Sequence, residues 1–261
     1  MSGVMDRVRL AAARAAAGPL GDVRVRPSFP RVAAQSPFPP DAGPAQFVVR
    51  FRAELEALAG KVYGPLDAEG VARQVVELVR AATGEDSGLR AEDSALSARE
   101  ASRSSALGPQ SSQSRLLSWD DAELGCPGLG DALRQAGIEL VPGAVPNDAD
   151  HQRVLERLAS LQVGLSGAVG GLADTGSIVV ASGPGRSRVA SLLPPVHVAV
   201  LPVSRIYPTM QEWLAGGGTR LVAGCANVVV ITGSSRTSDI ELQLTLGMHG
   251  PKELHVVLYE G

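Results

Sequence analysis

Apolar positions along the chain switch between helical and extended spacing. Leu10, Ala13 and Ala17 share one helical face, so residues 4 to 17 are predicted as a short helix ending at Gly18-Pro19. From Pro27 to Pro44 repeated prolines block both helix and ladder and predict an extended arm. From Ala45 onward, Val48, Phe51, Leu55 and Leu58 recur at three- and four-residue steps as far as Gly60, the pattern of an amphipathic helix. Lys61 to Tyr63 reads as a short strand, and Asp67 is placed to cap a helix with Val71, Val75, Leu78 and Val79 on its apolar face. Residues 84 to 114 are rich in Ser, Ala, Arg and Glu without a sustained period and read as a low-complexity surface insertion or a weak helix with flexible ends.

Order resumes with a strand at Leu116 to Trp119, a helix at about 127 to 136, a strand at Ile138 to Val141 and a helix from about Asp148 to Ser160. Further strands are predicted at Gln162 to Ser166, Ser177 to Ala181, Val196 to Pro202, Val228 to Thr232 and Leu254 to Tyr259. Several are continuous aliphatic runs, as expected where helices cover both faces of a sheet. The predicted fold is therefore α/β, an open, mainly parallel sheet with helices on both faces. Residues 1–44 form a helix and proline-rich arm, and residues 45–261 form the α/β domain, interrupted by the insertion at about 84–114. In such a sheet the ligand is expected beyond the carboxyl ends of the strands, where loops converge.

Composition narrows the function. Hydrophobic residues make up 44% but aromatics only 3%, so the core is aliphatic. A formal net charge of −3 provides no general field for a polyanion, and nucleic acid is not an expected partner. Cys126 and Cys225 lie far apart with no Cys-x-x-Cys, which cannot supply the thiolates of a zinc or iron–sulfur site, so no cofactor is expected on this chain. No signal peptide is recognisable, so two free thiols and a cytoplasmic location are expected. No apolar stretch is long enough to span a membrane.

Three segments carry candidate chemistry. The first is Val228 to Glu241. A buried strand leads into a turn at Gly233, and Ser238 and Glu241 are spaced as the capping box of a following helix. Gly233, Ser235, Arg236 and Thr237 at such a helix start would hold a phosphate or carboxylate; the plainer reading is an N-cap with Arg236 in a surface ion pair. The second segment places Asp174, Thr175 and Gly176 in a loop between strands, where Asp174 accepts from backbone amides or acts on a substrate. The third comprises Gly183-Pro184-Gly185-Arg186, Leu193 to His197 and Ser204-Arg205. His197 sits in an apolar run and reads as a core residue, whereas Arg205, at a strand's carboxyl end, is the candidate for an anionic ligand. His197, His249 and His255 lack the spacing of a preformed metal site, so no metal is expected. Asp174 and Glu241 are the candidate catalytic carboxylates.

Four stretches carry a family resemblance: Ala173 to Ser177, Leu193 to His197, Ile231 to Glu241 and Gly247 to His255. Together and in this order they resemble the LUD domain of the LutC/YkgG lactate-utilisation proteins, most densely over residues 160 to 261. Ser234 departs from the proline usual in that turn. The resemblance implies a fold like that of the NagB/RpiA/CoA-transferase group. It also implies membership of a system that oxidises L-lactate to pyruvate, in which two partner proteins carry cysteine clusters and iron–sulfur centres. This chain would then be the subunit without a cluster, and it is expected to bind a small carboxylate or a partner surface through the loops around Asp174, Arg205 and Arg236. The alternatives are a free-standing enzyme acting on a phosphorylated sugar or an acyl-CoA, and a non-catalytic assembly factor.

Overall fold

The aliphatic runs form the centre of the computed structural model, which describes residues 37–84, 114–146, 148–234, 236–238, 244–246 and 250–261. The helix expected at 4 to 17, most of the proline-rich arm and nearly all of the 84 to 114 insertion lie outside the described residues. Helix α1 (Pro44–Ala57) buries Val48, Phe51 and Leu55, the face its spacing predicts. Strand β1 (Lys61–Leu66) and helix α2 (Ala68–Thr83) follow. Asp67 caps α2 by accepting a hydrogen bond from the Gly70 amide at 2.8 Å, and the left-handed Gly84 ends it. Val71, Val75, Leu78 and Val79 are buried, as the periodicity requires.

Beyond the insertion come β2 (Arg115–Ser118), α3 (Leu129–Gln135), β3 (Glu139–Pro142), α4 (His151–Ala159), β4 (Val163–Gly167), β5 (Gly170–Leu172) and β6 (Ser177–Ser182). They are followed by β7 (Val196–Pro202), β8 (Ile206–Tyr207), α5 (Met210–Trp213), α6 (Thr219–Gly224), β9 (Asn227–Ile231), β10 (Arg236–Ser238), β11 (Leu244–Leu246) and β12 (Glu253–Tyr259). A wide helical turn, Leu214–Gly218, joins α5 to α6. The main sheet has the order β1-β12-β7-β4-β2-β3, and every pair in it is parallel. β4, β7 and β12 are buried almost throughout, which explains their lack of alternation.

Two expectations are corrected. β6 and β9 do not join the main sheet; they form a second one, ordered β8-β5-β6-β9, in which β5–β6 and β6–β9 are antiparallel. β6 is buried at all six positions, and a strand covered on both faces gives no periodic sign of which sheet it enters. The helix expected after Thr232 is also not found among the described residues. Arg236–Ser238 instead pairs antiparallel with Leu244–Leu246, with Thr237 opposite Thr245. Ser238, the expected N-cap, is therefore a strand residue, and Glu241, its expected capping-box partner, lies outside the described residues.

Candidate functional site

The site grows from the turn between β5 and β6, which consists of Ala173, Asp174, Thr175 and Gly176. Gly176 has φ 62°, and a Cβ there would fall 2.3 Å from the Leu55 amide nitrogen, so only glycine allows α1 to lie against this turn. The Asp174 amide donates to the Pro208 carbonyl at 3.0 Å. Its Oδ1 is buried without a hydrogen-bond partner among the described residues. Thr175 Oγ1 lies 2.8 Å from Ser177 Oγ, which in turn lies 2.8 Å from Thr232 Oγ1. Antiparallel pairing brings these hydroxyls together: Ile178 is opposite Ile231, so Ser177 and Thr232 arrive side by side. Ser234 Oγ then donates to the Ala59 carbonyl at 3.3 Å, fixing the chain beyond β9 to the end of α1.

Thr232 and Gly233 open onto a cavity of about 240 Å³ that is also lined by Ser191, Leu192, His197, Val229, Val230, Ile231, Gly250, Pro251 and Leu254. Three of the four motif segments meet in its wall, and the Ser177–Thr232 hydrogen bond ties in the fourth. Mostly apolar walls with a few hydroxyls and backbone groups suit a small organic ligand. His197 is 1% exposed and shares a 2.8 Å hydrogen bond with Ser166 Oγ. Burial, with the nearby His255 charge, lowers its pKa to about 4, so near neutral pH it is an uncharged wall residue and not a proton carrier. His197 pairs in register with Leu254, so His255 projects from the opposite face of the sheet. There it stacks on Tyr63, shares a 3.0 Å hydrogen bond with the Tyr63 hydroxyl, and contacts Glu253 at 3.2 Å.

The structure places the predicted residues in two locations. Asp174, Thr175, Gly176 and Gly233 come together, whereas Arg205 does not join them. β5 and β8 run parallel with Leu172 opposite Tyr207, so Arg205 lies beside the start of β5 while Asp174 follows its end. The motif cavity also lies at the amino ends of β7 and β12, contrary to the expectation of a site beyond their carboxyl ends, because the β9 segment that completes it belongs to the second sheet. The seven residues of β7 set Arg205 about 20 Å from His197. Arg236 and Thr237 are placed by backbone only, in β10, and Ser235 and Glu241 lie outside the described residues. Ser177, Ser191, Thr232, Gly250 and Pro251 were not singled out from the sequence. Ser177, Thr232, Gly250 and Pro251 stand inside the motif stretches, but Ser191 carries no local signal.

Comparisons with known proteins bear on the family and the fold. A sequence model of the LUD domain matches residues 48–259. The chain is 32% identical over 142 residues to lactate utilization protein C of Halalkalibacterium halodurans, covering 52% of this chain and 58% of the relative. It is 36% identical over 128 residues to an uncharacterized protein of Neisseria meningitidis serogroup B, covering 48% and 53%. With lactate utilization protein C of Bacillus subtilis it shares 34% over 119 residues, covering 42% and 48%. The chain spans about half the length of the curated relatives it matches. A DUF162 family protein from Deinococcus radiodurans, solved by crystallography, shares the fold with a TM-score of 0.51 at 13% identity, covering 84% of this chain and 99% of that one. With a family match running from α1 to β12, this chain belongs to the LUD domain family.

Proposed function

We propose that this chain is the subunit without a cluster in a cytoplasmic iron–sulfur protein system that oxidises L-lactate to pyruvate, and that its own part is to bind a small carboxylate in the motif cavity. The observation that carries this reading is the cavity itself. Segments far apart in sequence converge on about 240 Å³, room for a three-carbon acid and its water. The hydroxyl of Thr232 and the backbone at Gly233 and Gly250 are the polar groups available to the ligand's carboxylate and 2-hydroxyl. Lactate oxidation removes two electrons and two protons. The two separated cysteines cannot form a cysteine-ligated cluster, so the electrons are assigned to two cysteine-cluster partner proteins. The names of the relatives from Halalkalibacterium halodurans and Bacillus subtilis support the pathway. Among the described residues no helix is long and apolar enough to cross a membrane.

The test is a thermal-shift titration of the purified chain with L-lactate and pyruvate. Saturating ligand, at a hundred times its dissociation constant, should stabilise the chain by about 2.7 kcal/mol. Thr232→Val should remove that gain. Lactate oxidation should appear only when the two cysteine-cluster proteins are added; turnover by this chain alone would overturn the proposal.

A further inference from the structure

Arg205 takes no part in the motif cavity but lines a separate cleft of about 350 Å³ at the carboxyl ends of the parallel strands. Arg186 lines the same cleft from the Gly183–Arg186 turn, where the two residues exchange backbone hydrogen bonds at 3.2 and 3.0 Å. The Arg186 side chain is 20% exposed, yet its Nε is buried without a hydrogen-bond partner among the described residues. A desolvated guanidinium N–H left unpaired is costly, so the protein leaves the Arg186 guanidinium incompletely satisfied. The nearest carboxylate, Glu123, reaches Arg186 Nη1 only at 3.5 Å. Arg205 is similarly under-used: among the described residues its side chain makes a 3.5 Å contact from Nη1 to the Ala168 carbonyl and no other hydrogen bond.

The rest of the cleft suits an anion with an organic body. Gly125, Gly216, Gly217 and Gly218 contribute wall without side chains, and Gly217 has φ 123° with open space where a Cβ would stand. Glycines in a concave wall let a ligand's oxygens approach the backbone. Tyr207 and Trp213 form an aromatic side, with Val169 and Leu221 beside them. One guanidinium fork is enough for the two oxygens of a carboxylate, whereas two forks reaching in from different loops match a group with three terminal oxygens and up to two charges. The volume also far exceeds that of a bare inorganic anion.

We propose that this cleft binds a phosphate monoester of a small organic alcohol, with the phosphate on Arg186 and Arg205 and the organic body against Tyr207 and Trp213. The site is distinct from the motif cavity and does not depend on the lactate reading. Glu123 sits beside Arg186 as an internal counter-ion that the phosphate displaces or shares.

Calorimetric titration of the full chain with glycerol 3-phosphate, inorganic phosphate, succinate and L-lactate tests it. Glycerol 3-phosphate should bind saturably and more tightly than inorganic phosphate or succinate. Arg205→Ala, at an exposed position, should weaken it at least about tenfold, while Thr232→Val should leave it unchanged. L-Lactate binding should show the reverse dependence, being lost in Thr232→Val and kept in Arg205→Ala, so each proposal stands or fails by its own variant. No binding of glycerol 3-phosphate, binding indifferent to Arg205→Ala, or equal affinity for succinate or inorganic phosphate would each overturn the assignment.

Discussion

Ser177 Oγ and Thr232 Oγ1 lie 2.8 Å apart and link the turn after β5 to the mouth of the motif cavity. Ser177 is 2% exposed and also bonds Thr175, so its hydroxyl is the interior member of a three-hydroxyl chain. Ser177→Ala should cost on the order of 1 kcal/mol in urea unfolding and should also loosen Thr232. An unchanged midpoint with unchanged ligand stabilisation would show that the chain is incidental.

Gly176 and Gly84 separate two effects of a positive φ. Both have left-handed backbones, but a Cβ at Gly176 would collide with the backbone of α1, whereas the space around Gly84 is open. Gly84→Ala should therefore cost about 1 kcal/mol, the conformational penalty alone. Gly176→Ala should cost several times as much, about 3 kcal/mol or more, because α1 must move. Equal losses on chemical denaturation would contradict the close approach.

Buried histidine makes the fold acid-sensitive. His197 has its pKa lowered from 6.5 to about 4 by burial and by the nearby His255. The unfolded chain then takes up a proton below about 6.5 that the folded chain refuses until about 4. Stability should be complete above that upper value, fall as the pH drops through the window, and level off below it. The depression corresponds to a loss on the order of 3 kcal/mol. His255, also lowered by burial and by Lys61, pushes in the same direction. Urea unfolding between pH 7.5 and 5, above the range where carboxylates titrate, should show a slope that His197→Gln flattens; parallel slopes would rule His197 out as the source.

The cap on α2 offers a simpler check. Asp67→Ala removes the acceptor for the Gly70 amide at 2.8 Å and should lower stability by about 1 kcal/mol, whereas Asp67→Asn should recover most of it. Failure of the asparagine to recover it would point to charge and not to the hydrogen bond.

Much of this architecture was legible where burial is one-sided. The faces of α1 and α2 follow from spacing because each helix has one side in solvent, and Asp67 announces its cap. Residues 170–172 and 206–207 escaped notice because two or three residues, two of them glycines in β5, show no period. Residues 210–224, rich in glycine around an irregular turn, gave no helical pattern either. β6 and β9 were visible as strands, but their sheet was not, since membership depends on pairing register. The same limit applied to the site. The motifs located Asp174, Gly176 and Gly233 in sequence, yet only the antiparallel register of β6 and β9 reveals that these turns adjoin and that Arg205 stands elsewhere. Glu123 and Trp213 have no local signal, because what marks them is a shared cleft with Arg186.

The order of the main sheet has a consequence for synthesis. β12 lies between β1 and β7 and hydrogen-bonds both, so β1, made early, has no neighbour in the sheet until the segment from Glu253 has left the ribosome. The nascent chain therefore carries an unpaired β1 for most of translation and, once β7 has been made, a second unfilled edge there until β12 arrives, each competent to capture a stray β segment. Completion of the sheet thus waits on the last strand to be made, which is also the one that closes both of those edges.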